Sequence, residues 1–253
     1  MIASCYFHLL KGFAGLSSGL FFCMKRLDEI YKLINRGKGV ADVGTDHGEI
    51  PVRLALSDYP GTIFASDIHA LPLETARRRA AEAGVEDRIH FSCSDGLEDC
   101  EEDSVDTIII AGLGGDTICS ILDRTEWTMS ERVSLILQPM TKGEVLRYWL
   151  TCNGYSIEKE LIIRENGSLF RILLARFSDR NTFLTDAELF LGQKTLAENK
   201  AAYTDYTQKE LYRVKKKING MEESSVRNPE YRFYQNIYQE METIYLDCLQ
   251  EGK

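Results

Sequence analysis

The chain has 253 residues, 44% of them apolar and 27% charged, with a formal net charge of −9. That length buries one full core with a smaller appendage, and the composition excludes a disordered or collagenous chain. The acidic balance excludes nucleic-acid binding by charge over the whole surface. It leaves local basic patches, of which Arg77-Arg78-Arg79 and Arg213-Val214-Lys215-Lys216-Lys217 are the candidates, and for both a solvated helix face is the ordinary reading.

The first apolar run, Gly12 to Met24, is about half as long as a bilayer-spanning helix, so no membrane segment is expected there. Only Lys11 precedes it and no small-x-small cleavage site follows, which disfavours a signal peptide. Residues 1–23 are expected to be a dispensable extension, with a natural start at Met24. Seven scattered cysteines without a C-x-x-C pair read as reduced thiols of a cytoplasmic protein, and no metal site is expected.

Leu27, Ile30, Tyr31 and Ile34 recur at helical spacing, and glycines 37 and 39 close that helix. A strand follows at Gly39 to Gly44, then strand Thr62 to Asp67, helix Pro72 to Ala83, strand Ile89 to Ser94 and strand Asp106 to Ala111. Next come a helix from about Asp116 to Leu122, strand Ser134 to Gln138 and helix Lys142 to Cys152. This alternation predicts βαβ units and a mostly parallel, Rossmann-like α/β sheet. Ile108-Ile109-Ile110 and Leu135-Ile136-Leu137 are apolar on both faces and belong to its middle.

Tyr155 to Arg164 and Leu169 to Phe177 flank Glu165-Asn166-Gly167-Ser168, whose Asn-Gly pair predicts a hairpin and so an antiparallel edge. The boundary of the core domain, residues 24–178, is placed there. Residues 179–253 read as a small helical, coiled-coil-like unit, two helices of roughly 30 and 20 residues paired antiparallel and broken near Asn219-Gly220 and Asn228-Pro229. Its spaced tyrosines, from Tyr203 to Tyr245, suit the seam of that pair better than a base-stacking platform.

In an open parallel sheet, ligands bind at the carboxyl ends of the strands. Asp42 to His47 follows the first strand, Asp67 with Ile68 closes the second, Ser94-Asp95-Gly96 follows the third, and Ala111-Gly112-Leu113-Gly114-Gly115 follows the fourth. Asp67 stands 25 positions after Asp42, near the spacing at which a second-strand carboxylate accepts from a cofactor ribose. Yet Gly44-Thr45-Asp46-His47-Gly48 lacks the glycine pattern a pyrophosphate needs, and its acid suits a cation. S-adenosylmethionine has a ribose, an adenine, a sulfonium and no phosphate. Asp95 then suits the adenine amine, Gly96-Leu97 its ring, and Gly112 and Gly114-Gly115 a close pass by the methionine part. Thr45 offers a hydroxyl to the cofactor or to a helix cap, and Asp42 and Asp46 also suit an N-cap pair.

The strings "RLDEIYKLI", "VADVGTDHGEIP", "FASDI", "SDGLE", "IIIAGLGGDTI", "LILQP", "LRYWL" and "NGYSIEKELIIRENGSLFRILLA" resemble, in order, the bacterial tRNA (adenine-22-N1)-methyltransferase family, from about Met24 onward. G-T-D-H and I-A-G-L-G-G are its more specific strings. The resemblance implies methyl transfer from S-adenosylmethionine to N1 of an adenine in the D-arm region of tRNA, and a class I methyltransferase fold. It implies cofactor roles for Asp42, Gly44, Asp67, Asp95, Gly96, Gly112 and Gly114, and a catalytic one for Asp46. Glu49, Met140 and Phe170-Arg171 depart from the family pattern, which bears on how the target base is clamped. His47 reads as a partner fixing the loop. Arg26, Lys142, Arg147 and Lys215 to Lys217 are the expected tRNA contacts, and the expected state is a monomer or weak dimer. Another methyl acceptor, protein or small molecule, and a non-catalytic RNA-binding module are the competing expectations.

Overall fold

A computed structural model describes residues 25–180, 182–221 and 229–251. The expected extension at 1–23 and the start at Met24 lie outside the described residues, as does Asn228. Helix α1 (Lys25–Leu33) leads into β1 (Gly39–Val43), α2 (Glu49–Leu56), β2 (Thr62–Ser66), α3 (Ala70–Glu82), β3 (His90–Ser92), β4 (Thr107–Gly114) and α4 (Gly115–Asp123). Then come β5 (Ser134–Thr141), α5 (Gly143–Cys152), β6 (Tyr155–Glu165) and β7 (Ser168–Phe177). The helical tail holds α6 (Asp186–Leu191), α7 (Lys200–Met221) and α8 (Pro229–Glu251).

The strands form one sheet in the order β3-β2-β1-β4-β5-β7-β6. β1 to β5 run parallel, and β7 is antiparallel to both β5 and β6. The strand that returns from the hairpin therefore slots against β5, and β6 becomes the edge. At the hairpin tip Asn166 and Gly167 both take positive φ, 49° and 76°, the turn whose twist matches the flanking strands.

Alternate residues of the central strands face opposite sides. Ile108, Ile110, Leu135 and Leu137 pack with Ile118, Ile121 and Leu122 of α4 and Leu146 and Leu150 of α5. Ile109 and Ile136 join Ile30 of α1, Val52 and Leu54 of α2 and Leu73, Ala76 and Ala80 of α3 on the other side. β4 and β5 outrun their expected ends, because pairing continues past an irregularity at Ala111 and Leu113 to Gly114 beside Thr141. Local propensity had ended both strands at the glycines and at Pro139.

The tail helices α7 and α8 have 22 and 23 residues, and Asn219 and Gly220 lie within the last turn of α7 rather than breaking it. An additional helix, α6, starts at a capping box in which Thr185 accepts from the Glu188 N–H and Glu188 accepts from the Thr185 N–H. Tyr203 and Tyr206 are buried at the seam with Leu211, Val214, Ile218, Ile237 and Met241, whereas Tyr212 is exposed. The same apolar cluster takes in Ile162 of β6, so the tail rests on the sheet edge.

Beneath that contact lies a buried charge cluster. Arg147 of α5 donates from Nε and Nη2 to Glu160 of β6 at 3.2 and 3.0 Å, and from Nη1 to the Leu189 carbonyl at 2.8 Å. Arg171 of β7 approaches the same carboxylate at 3.0 Å and lies over the Tyr206 ring. Burial pushes the Glu160 carboxyl up, but Arg147 and Arg171 together hold it below the ordinary range. Arg147 is fully buried. The expectation that it contacts tRNA is therefore overturned: its guanidinium closes the joint between the sheet edge and the tail.

Candidate functional site

The strand order reverses between β1 and β4, and there a cleft of about 740 Å³ opens at the carboxyl ends of the strands. Asp42, Gly44, Thr45 and Asp46 line it from the β1 loop, Asp67 from the end of β2, and Ala111, Gly112 and Leu113 from β4. Arg26 of α1 and Arg78 and Arg79 of α3 complete the walls.

The β1 loop is shaped by its backbone. The N–H groups of Gly44 and Thr45 both donate to the Ser66 carbonyl, at 2.8 and 3.0 Å, tying the loop to the end of β2. Gly44, Asp46 and Gly48 take positive φ of 72°, 46° and 66°, so the chain coils tightly before α2 begins. Aspartate tolerates that conformation better than most residues with a side chain. Gly48 is the N-cap of α2, and no side chain caps the helix. The capping alternative for Asp42 and Asp46 is thereby removed, and Thr45 is likewise no cap, its hydroxyl donating to Asp42 Oδ2 at 2.7 Å.

Asp42 is buried at the cleft floor. Burial pushes its carboxyl up to about 6, the Thr45 hydroxyl opposes this, and the nearby charge of Asp67 adds to it. Asp67 itself accepts from the His69 N–H at 2.9 Å. Asp46 stands at the mouth with its side chain 66% exposed, and His47 Nε2 lies 3.5 Å from its Oδ2. That separation is too long for a good hydrogen bond, so His47 does not fix the loop through its ring; its carbonyl accepts from Arg79 at 3.3 Å instead.

Several expected cofactor residues lie outside the lining of this cleft. Ile68 is exposed beyond β2, and Asp95 pairs with Arg124 at 2.9 Å. Leu97 is buried in the apolar cluster that takes in the β4 and α4 side chains. Gly96 accepts from Ser66 Oγ through its carbonyl at 2.6 Å. Gly114 and Gly115 serve packing: a Cβ on Gly115 would lie 2.2 Å from the Lys142 carbonyl, so the pair lets the β4 and β5 ends close on each other. Gly112, with φ of 85°, would carry a Cβ into open space.

Of the expected tRNA contacts, Arg26 lies in the cleft wall, donating to Gln138 Oε1 at 2.6 Å with its guanidinium over the Phe170 ring. Lys142 is exposed at the start of α5 and paired with Asp116 at 2.7 Å. Lys215, Lys216 and Lys217 are exposed on α7, where Lys217 pairs with Glu230.

A methyltransferase-domain family model matches residues 23–173. The tRNA (adenine(22)-N(1))-methyltransferase of Bacillus subtilis is 31% identical over 168 residues, covering 66% of this chain and 71% of that protein. The chain belongs to this methyltransferase family. The structure of TrmK from M. capricolum in complex with S-adenosyl-homocysteine matches with a TM-score of 0.73 at 27% identity, over 88% of this chain and 97% of that one. Sp1610 of Streptococcus pneumoniae in complex with S-adenosyl-L-methionine matches with a TM-score of 0.75 at 25% identity, over 88% and 100%.

The residues at the cleft fit the cofactor of such methyltransferases. Two carboxylates, Asp42 and Asp67, lie close together at the floor, and among the described residues the buried one has the Thr45 hydroxyl as its side-chain donor. Such a site is completed by a ligand that brings hydroxyls and positive charge. Motif reading set Arg78 and Arg79 in a basic run with a solvated helix face as its ordinary reading, and Glu49 near the target base, without foreseeing that all three share the cleft wall, where Glu49 accepts from Arg79 at 2.6 Å. The spacing Pro72, Thr75, Arg79, Glu82 on one helical face was the available signal.

Proposed function

We propose that this chain is an S-adenosylmethionine-dependent methyltransferase acting on N1 of an adenine of tRNA, the adenine at position 22 in the D-arm region. The observation that carries the reading is the match to the B. subtilis enzyme, 31% identity over 168 residues, in a chain whose sheet opens an acidic cleft at its strand ends. Asp67 is the proposed acceptor for the ribose hydroxyls. Asp42 with Thr45 holds the charge of the floor, and the backbone at Gly44 and Gly112 lets the ligand approach closely. When bound, S-adenosylmethionine supplies an electrophilic methyl group on a sulfonium sulfur.

Adenine N1 carries a free lone pair, so no proton is removed before attack, and the residues have to orient the base and stabilise the cation that develops on the purine. Asp46 is the proposed group for that work, and its exposed side chain at the cleft mouth supports the reading. Its carboxylate accepts from the N6 amino group, aligns N1 and offsets the growing positive charge. The carboxylate is available, because among the described residues the one basic side chain within 4 Å of it is the His47 imidazole, at 3.5 Å. The exposed lysines 142 and 215–217 are proposed as outer contacts to the RNA.

The deciding experiment incubates the protein with labelled S-adenosylmethionine and unmodified tRNA and maps reverse-transcription stops. A stop at one D-arm adenine is expected; label in a protein or small molecule and none in tRNA would overturn the reading. Asp46→Asn is expected to retain cofactor affinity and to lower kcat by about a hundredfold or more. Normal turnover in that variant would remove Asp46 from the mechanism.

A further inference from the structure

Helix α3 turns one face to the cleft, and its three consecutive arginines have different fates. Arg77 points away, donating to the Phe91 carbonyl at 3.2 Å with its guanidinium over the Phe91 ring. Arg79 is braced in the wall by Glu49. Arg78 lines the cleft and is exposed, and among the described residues no carboxylate, carbonyl or ring engages it.

The position of that uncommitted cation matters because the cleft is acidic. Asp42, Asp46 and Asp67 attract a cationic ligand and repel a polyanion, so a nucleic acid presenting a base there needs a compensating positive charge at the rim. The other arginine of the cleft, Arg26, is held by Gln138 and Phe170 on the facing wall. Guanidinium groups suit phosphate, which they bind through two donors at once.

We propose that Arg78 is a phosphate contact, holding the RNA backbone at the cleft rim beside the nucleotide that enters. The proposal rests on the reading of this chain as a tRNA methyltransferase, and it places a gripping point on α3 itself, next to the reacting base. Arg79, fixed by Glu49, forms the rigid wall behind it.

The test measures tRNA binding by fluorescence anisotropy over a range of salt, together with kcat and KM, for the wild type, Arg78→Ala and Arg78→Glu. Arg132→Ala is the charge-matched control, since Arg132 precedes β5 at the opposite end of the sheet. Alanine on an exposed helix position leaves the fold intact. Arg78→Ala is expected to raise the Kd and KM for tRNA about fivefold and to make the plot of log K against log salt shallower by about 0.7 to 0.9. Arg78→Glu should weaken binding further, with kcat and cofactor affinity unchanged in both.

Binding by Arg78→Glu equal to that of the wild type or of Arg132→Ala would overturn the proposal. So would a parallel loss of cofactor binding, which would mark a structural role. A wild type that binds tRNA without methylating it would sink the functional reading, yet leave the anisotropy comparison able to decide on Arg78; no binding by the wild type would sink both.

Discussion

Asp42 combines two roles that oppose each other. In the ligand-free protein its carboxyl is held at about 6, against 3.8 for an unperturbed aspartate, so ionising it costs folding free energy. The native state binds the extra proton between those two values, so this residue's contribution to stability falls as pH rises from about 4 to 6 and is level above about 7. The cost at neutral pH is about 3 kcal/mol. Asp42→Asn is expected to be more stable than the wild type at pH 8 by up to that amount in ligand-free chemical denaturation, and to match it near pH 4. The same charge is the proposed attraction for the cofactor, so in calorimetry the wild-type affinity should increase between about pH 5 and 7 and the variant's should not. A variant with wild-type affinity and the same pH profile would separate Asp42 from cofactor binding.

At the scale of elements, the Asn166-Gly167 turn shows how one dipeptide fixes an edge of the sheet. Both residues occupy the left-handed region, and the register it sets pairs Glu165 with Ser168 and Tyr155 with Phe177. Gly167→Ala puts a Cβ in that conformation and is expected to cost about 1 kcal/mol, a fall in Tm of roughly 2 to 4 °C by calorimetry. Because the hairpin carries Glu160 and Arg171 rather than cleft carboxylates, cofactor affinity should stay unchanged. The turn was legible in the sequence because its conformational demand is local. By contrast, the ends of β4 and β5 were not, since the pairing of Leu113 and Gly114 with Pro139 and Thr141 is made across the sheet.

Over the whole molecule, the joint between sheet and tail depends on a carboxylate shared by two buried arginines. Removing its charge in Glu160→Gln leaves the buried guanidinium groups of Arg147 and Arg171 without the carboxylate they share. Unpaired buried charge is strongly destabilising, and a loss of about 3 to 5 kcal/mol is expected in urea denaturation. An exposed pair such as Arg132 with Asp103 should lose less than about 1 kcal/mol when broken. Among the described residues no well-aligned hydrogen bond reaches the buried Arg171 nitrogens, so its tie to the cluster is the charge of Glu160 at 3.0 Å.

The sequence by itself determined the sheet of alternating strands and helices, the hairpin and the loop that carries Asp42, Thr45 and Asp46, because apolar period, turn dipeptides and spacing act over a few neighbouring residues. Only the tertiary structure decided which charges are free. Arg147, expected among the tRNA contacts, meets Glu160 from a neighbouring strand and is sealed in. Arg78, one of three arginines in a row, is left open over the cleft while its neighbours are taken by Phe91 and Glu49. Whether a charge is spent on the fold or kept for a ligand depends on partners far away in the chain, and no local pattern carries that information.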